Sequence, residues 1–160
     1  MKRLLLLRHA KSSWSEPNLA DFDRPLNERG IEETQIIGGR IRENGIDVSL
    51  IISSPAKRAV DTAVRIRDIS GLNAEITCDE QIYEASPLTL MRVVSNLSPD
   101  FESVLLIGHN PGLEGFIRLV TGTIHPMSTA SLADITFEIE EWCQISAGGG
   151  KLNGIFRPPA

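Results

Sequence analysis

A chain of 160 residues, 41% apolar and 23% charged, has the size and composition of one globular domain, and we expect residues 1–160 to fold as one. Sixteen Lys and Arg against 21 Asp and Glu leave a formal charge of -5, which excludes a global basic field for nucleic acid or an anionic membrane, so any bound anion must be held locally. Cys78 and Cys143 lie too far apart for a C-x-x-C pair, and the apolar run Leu4 to Leu7 is too short for a signal peptide or a membrane span, so the expected setting is a reducing cytoplasm.

Along the chain, Arg3 to Leu7 is a short aliphatic run without apolar/polar alternation, the pattern of a strand buried on both faces. A helix is predicted from about Asn27 to Glu43, with Asn27 as N-cap and Asn44-Gly45 as the stop. Val48 to Ile52 is a second buried strand, and the stripe Ala56, Ala59, Ala63 and Ile66 marks the helix after it. Ala74 to Cys78 reads as a strand, and Pro87 to Leu97 as a helix opened by Ser86 as cap with Pro87 at the first helical position. Ser103 to Ile107 is a third buried strand, followed by a helix with the stripe Leu113, Phe116, Ile117 and Val120. Ala133 to Ile139 alternates as an edge or antiparallel strand does, and Gly148 to Gly150 turn the chain into a final strand from Lys151 to Phe156. Cys78, Cys143 and the apolar stripes are expected in the core. No fixed period and no long biased tract interrupts this order. Alternating strands and helices imply a three-layer α/β/α sandwich with a mostly parallel central sheet, and ligands outside the carboxyl ends of its strands.

Three of those ends carry related chemistry. The first strand runs out into Arg8 and His9, the third into Gly108 and His109, and the middle one into Ser53-Ser54-Pro55-Ala56-Lys57-Arg58, so two of the three histidines occupy the same kind of place. If the strands are parallel neighbours, Arg8, His9, Arg58 and His109 converge on one crevice. Paired guanidinium N–H donors and two imidazoles suit a tetrahedral dianion, which makes a phosphoryl group the expected ligand. Cationic neighbours depress an imidazole pKa, and a neutral histidine can attack phosphorus. Zinc on His9 and His109 is disfavoured, since no third His or Cys has ligand spacing and two arginines would repel the ion. His125 falls in the loop from Gly122 to Ser131, without strand-end context.

The segments Leu6-Leu7-Arg8-His9-Ala10-Lys11-Ser12-Ser13-Trp14, Asp21-Phe22-Asp23-Arg24-Pro25-Leu26, Arg29-Gly30, Ser53-Ser54-Pro55-Ala56-Lys57-Arg58-Ala59, Thr62-Ala63 and Gly108-His109-Asn110-Pro111 occur in an order that spans nearly the whole chain. In that order they resemble the histidine phosphatase superfamily of phosphoglycerate mutases and acid phosphatases, and within it the small SixA-type phosphohistidine phosphatases. The resemblance implies a phosphoglycerate mutase-like fold, His9 as the nucleophile, Arg8 and Arg58 on the non-bridging phosphate oxygens, and His109 donating to the same oxygens. Ala10 stands where the superfamily motif usually has glycine. The resemblance also places a general acid after the third strand of the chain, where Glu84 lies with Asp79 and Glu80 as competitors.

Ser12, just past the nucleophile, is a candidate to bond the phosphate or to cap a turn, and Lys11 is a basic residue at the rim. Trp14 and Phe22 are expected chiefly to pack their loop onto the domain, with a binding edge as the other use. The expected function is that of a cofactor-free, metal-independent phosphohydrolase acting through a phosphohistidine intermediate. An open crevice without lid insertions suits phosphohistidine on a protein. The alternatives are a small phosphomonoester as substrate, or a phosphate-binding module without turnover.

Overall fold

The computed structural model describes residues 1–160. Six strands form one sheet: β1 (Lys2–Arg8), β2 (Leu50–Ser53), β3 (Glu75–Cys78), β4 (Ser103–Gly108), β5 (Leu132–Phe137) and β6 (Gly150–Phe156). Their spatial order is β3-β2-β4-β1-β5-β6, with the first four parallel and β5 and β6 antiparallel. Four helices flank the sheet: α1 (Glu28–Glu43), α2 (Lys57–Ser70), α3 (Pro87–Ser95) and α4 (Gly112–Thr121).

The unbroken leucine run of β1 is explained by its place between two helical layers. Leu4 and Leu6 point to the side where Val93, Leu113, Phe116 and Ile117 of α3 and α4 pack, and Leu5 and Leu7 point to Ile37, Ile41, Ala63 and Ile66 of α1 and α2. Successive strand residues face opposite ways, so a central strand covered on both sides must be apolar at every position. The expected α/β/α sandwich is the architecture observed.

Local signals open α1 and α3 where the sequence placed them. The Asn27 side chain accepts from Gly30 N–H to open α1, and the Ser86 side chain accepts from Thr89 N–H to open α3 with Pro87 in its first turn. Gly45, just beyond α1, has φ +60°, a conformation open to glycine at little cost. Four boundaries move inward: α3 stops at Ser95 rather than Leu97, β5 ends at Phe137 rather than Ile139, β3 starts at Glu75 rather than Ala74, and β2 starts at Leu50, because Val48 is buried but lies outside the ladder. The alternating segment after residue 132 is an antiparallel strand between β1 and β6, so it is not at the sheet edge.

The cysteines depart from expectation. Both are exposed: Cys78 closes the edge strand β3, and Cys143 lies in a 3-10 turn whose buried residue is its neighbour Trp142. Position in the fold, with an outer strand and a short turn, overrides the ordinary preference of cysteine for the interior.

One close approach links the fold to the strand ends. In the first turn of α1, Gly30 meets the backbone leaving β1, and a Cβ built there would stand 2.0 Å from the Lys11 carbonyl oxygen. Neither backbone can yield without disturbing the segment that follows His9. Alanine is the better helix former by about 1 kcal/mol, yet Gly30→Ala should lower stability by about 1–3 kcal/mol, the usual cost of overpacking. The shift of the denaturant midpoint checks this; an unchanged or raised midpoint would mean that the two segments separate freely.

Candidate active site

The carboxyl ends of β1, β4 and β2 lie side by side because their parallel registers pair Arg8 with Gly108 and Ser53 with Ile107. The ladder continues past the strands, as His9 N–H donates to Gly108 O at 3.1 Å and Ser54 N–H to Ile107 O at 3.0 Å. The imidazoles of His9 and His109 therefore stand with ring centroids 5.0 Å apart. Arg58 arrives from the first turn of α2, which is tied to the segment after His9 through Thr62: its hydroxyl donates to Arg58 O at 2.7 Å and accepts from Ala10 N–H at 3.0 Å. The structure thus brings together Arg8, His9, Arg58 and His109, which line one cavity of about 230 Å³ with Lys11, Ser12, Trp14 and Arg24.

Hydrogen bonding settles which atoms face that cavity. His9 Nδ1–H donates to the Ala10 carbonyl at 2.8 Å, leaving Nε2 unprotonated, and its lone pair accepts from Arg58 Nε–H at 3.4 Å. Ser54 Oγ accepts from Ala56 N–H at 3.2 Å and shares a hydrogen bond with His109 Nε2 at 2.7 Å. His109 Nδ1 lies 3.4 Å from Arg58 Nη2, within hydrogen-bond reach of that donor. Arg8 donates through Nη1 to Met127 O at 3.0 Å, while its Nε is buried without a partner. A buried unpaired donor is costly unless a ligand meets it.

Burial shapes the electrostatics. His9 is 7% exposed, and desolvation, with smaller contributions from His109, Arg58 and Arg8, lowers its pKa to about 3. Desolvation and Arg58 lower His109 to about 4. Burial also pushes the Arg8 pKa down, opposed by Glu114 and Glu33. Both imidazoles are neutral at pH 7, and a neutral imidazole with an unprotonated nitrogen beside a guanidinium group can attack phosphorus.

Several participants were not singled out from sequence. The Asp21 carboxylate accepts from Tyr83 OH at 2.7 Å, from Arg58 Nη2 at 3.1 Å, and from Arg24 Nε and Nη2 at 3.1 and 3.0 Å. Its backbone oxygen accepts from Arg58 Nη1 at 2.7 Å. The hydrogen bond from Tyr83, then those from Arg24 and the Arg58 charge, hold the Asp21 pKa at about 2, while the same bond pushes Tyr83 up to about 12. Glu33, 4% exposed, accepts from Lys11 N–H and from the Thr129 hydroxyl, both at 2.8 Å, and so joins two loops around Arg8. The signal available for Asp21 and Arg24 was their presence in one of the motif segments.

The remaining candidates are placed as follows. Ser12 lines the cavity, and its hydroxyl accepts from Arg24 Nη1 at 2.5 Å. Glu84 is exposed, has φ 54°, and lines an adjoining cavity of about 760 Å³ with Asp21, Tyr83, Ser86 and His109. Asp79 caps the turn at Glu80–Ile82 and, like Glu80, lines neither cavity. His125 bonds Thr123 at 2.7 Å in its loop. Trp14 does not pack its loop down, being 76% exposed, and Phe22 is 39% exposed with its ring edge-on to Tyr83. The loop is fixed by Asp21 and Arg24 instead. No group of three His, Cys, Asp or Glu side chains is placed to share a metal ion.

Comparisons with known proteins bear on the family and the fold. The family model described as histidine phosphatase superfamily (branch 1) matches residues 4–88, a span that holds Arg8, His9, Arg58 and Glu84 and stops before His109. An uncharacterised protein of Mycobacterium leprae is 31% identical over 120 residues, which cover 73% of this chain and 72% of that one. A crystal structure from Agrobacterium tumefaciens, of a protein provisionally named phosphohistidine phosphatase SixA, superposes with a TM-score of 0.85 at 28% identity over 98% of both chains. The protein histidine phosphatase SixA complexed with tungstate shares the fold, with a TM-score of 0.82 at 19% identity over 96% of this chain and 95% of that one.

The protonation states carry a direct test. A histidine whose folded pKa lies below its unfolded value of about 6.5 favours folding fully above that value, and the contribution is lost as pH falls and the unfolded chain takes up the proton. Stability should therefore fall between pH 7 and pH 5, by on the order of 1–2 kcal/mol for buried His9, and His9→Gln should flatten that slope. In nitrogen-detected imidazole spectra at pH 5, His9 and His109 should both remain neutral, with the His9 proton on Nδ1. A charged His9 at pH 5 would contradict the assignment.

Proposed function

This chain belongs to the histidine phosphatase superfamily and is a phosphatase, and we propose that it removes the phosphoryl group from phosphohistidine on a protein, using His9 as nucleophile and no metal or cofactor. The observation that carries this reading is the unprotonated Nε2 of His9, held by Arg58 Nε–H, on a cavity also lined by Arg8, whose buried Nε has no partner. A tetrahedral dianion there would accept from Arg8 Nε, from Arg58 Nε and Nη2 and from a ring N–H of His109, with Ser12 and Lys11 at the rim.

In the first step the Nε2 lone pair forms a P–N bond to phosphorus as the bond to the leaving group breaks on the opposite side. In the second, water attacks phosphorus, the Nε2–P bond breaks, and inorganic phosphate leaves. The arginines and His109 act by stabilising charge on the transferring group. For a phosphohistidine substrate, the first step exchanges one P–N bond for another. A leaving imidazole protonated on its second nitrogen departs neutral and needs no carboxylic acid. The carboxylate bonded to the cage, Asp21, supports that choice, because at a pKa of about 2 it is ionised and has no proton to give.

A small phosphomonoester is the second reading, favoured by the position of Glu84 on the larger adjoining cavity. In that role Glu84 would protonate an alkoxide leaving group.

Brief exposure to a radioactive phosphodonor should leave acid-labile, alkali-stable label on the wild type and none on a folded His9→Ala variant. Label that persists in the variant would place the nucleophile elsewhere.

Glu84→Gln keeps the side-chain shape and removes the proton source. It should leave turnover of phosphohistidine within about twofold of wild type and, where phosphoserine is turned over, lower that rate by about 10²-fold or more, the scale of a lost general acid. A large loss on phosphohistidine would mean that its leaving group does require Glu84.

A further inference from the structure

Tryptophan usually buries most of its ring, yet Trp14 is 76% exposed on the wall of the cavity that holds His9. One face of the indole is occupied, since the Arg24 guanidinium carbon lies 3.5 Å from the ring centroid. Arg24 is itself 7% exposed and immobilised by Asp21, Ser12 and the Ser13 carbonyl. The indole is therefore backed by a fixed cationic plate, and its exposed area is the other face. The second tryptophan, Trp142, shows the ordinary pattern, fully buried with Nε1–H donating to Phe101 O at 2.7 Å.

A flat aromatic face beside a phosphoryl-transfer centre discriminates by shape. It offers stacking area to a planar leaving group and little to a flexible alkyl one. We propose that the open face of Trp14 is the platform on which the leaving group stacks, which makes Trp14 the residue that selects phosphoryl groups carried on a ring. The proposal deepens the reading of phosphohistidine as substrate and rests on it, the ring in question being the substrate's imidazole. Trp14 contacts the departing ring and holds no proton in the reaction.

The test compares Trp14→Ala and Trp14→Phe with wild type on two ring-bearing substrates, phosphohistidine and p-nitrophenyl phosphate, and two ringless ones, phosphoramidate and phosphoserine. The ratio of variant to wild-type kcat/KM on each substrate cancels differences in leaving-group basicity. Trp14→Ala should lower kcat/KM by about three- to tenfold on the ring-bearing pair, the worth of one aromatic stack, and by less than about twofold on the ringless pair. Trp14→Phe should restore most of the loss. An equal loss on all four would make Trp14 a cover for Arg24 that acts on Arg58 through Asp21, and no loss on any would make it a bystander; either result overturns the proposal. If the wild type turns over neither P–N substrate, the phosphohistidine reading fails, while p-nitrophenyl phosphate against phosphoserine still decides the role of Trp14.

Discussion

The site depends first on β4 lying in parallel between β1 and β2. Adjacent strands are about 4.8 Å apart, and the registers Arg8 to Gly108 and Ser53 to Ile107 bring three strand ends level. His9, His109 and Ser54 are therefore neighbours by backbone geometry before any side chain chooses a rotamer. A slip of one residue in either pairing would carry each side chain to the opposite face of the sheet. The leucines of β1 resist that slip, because alternate residues are already committed to two different helical layers. The packing that stabilises the sheet is the same packing that aligns the imidazoles.

Gathering Arg8, Arg24 and Arg58 around one small cavity creates a repulsion that the fold offsets from outside. Asp21 occupies the outer edge of Arg58 with its carboxylate and its backbone oxygen, leaving the edge formed by Nε and Nη2 turned toward the histidines. Glu33 bonds Lys11 N–H and Thr129, and Glu114 bonds Met127 N–H, whose residue in turn accepts from Arg8. Each carboxylate thus holds a loop that carries or supports a cation, without blocking the cavity. The positive field survives inside, where burial and cationic neighbours keep both imidazoles neutral.

What could be read from the sequence was whatever is encoded locally. Buried parallel strands announce themselves as aliphatic runs, Asn27 and Ser86 cap the helices they precede, and the convergence of Arg8, His9, Arg58 and His109 follows from strand order alone. The contacts of Asp21, Arg24, Tyr83 and Glu33 were not legible, because each joins residues distant in the chain through loops that have no period. Trp14 and the cysteines show the limit of residue-type rules. An exposed tryptophan and two exposed cysteines contradict average burial, and only their places on a rim, an edge strand and a short turn explain them.

The loop between β1 and α1 unites the two tasks of the site. It begins just after His9, supplies Ser12 and Trp14 to the cavity wall, and closes through Asp21 and Arg24 onto Arg58 and Tyr83. Contact made by a substrate at Trp14 is therefore mechanically joined, through Arg24 and Asp21, to the guanidinium that faces His9 Nε2. Binding energy gained at the rim can then steady the orientation of the cage as charge develops on the transferring group, which is where it accelerates the reaction rather than merely tightening the ground state. On the proposed substrate the leaving ring and the phosphoryl group are one rigid unit. Stacking the ring on the indole and holding the oxygens on the arginines would then fix the P–N axis relative to His9, the alignment that in-line transfer requires.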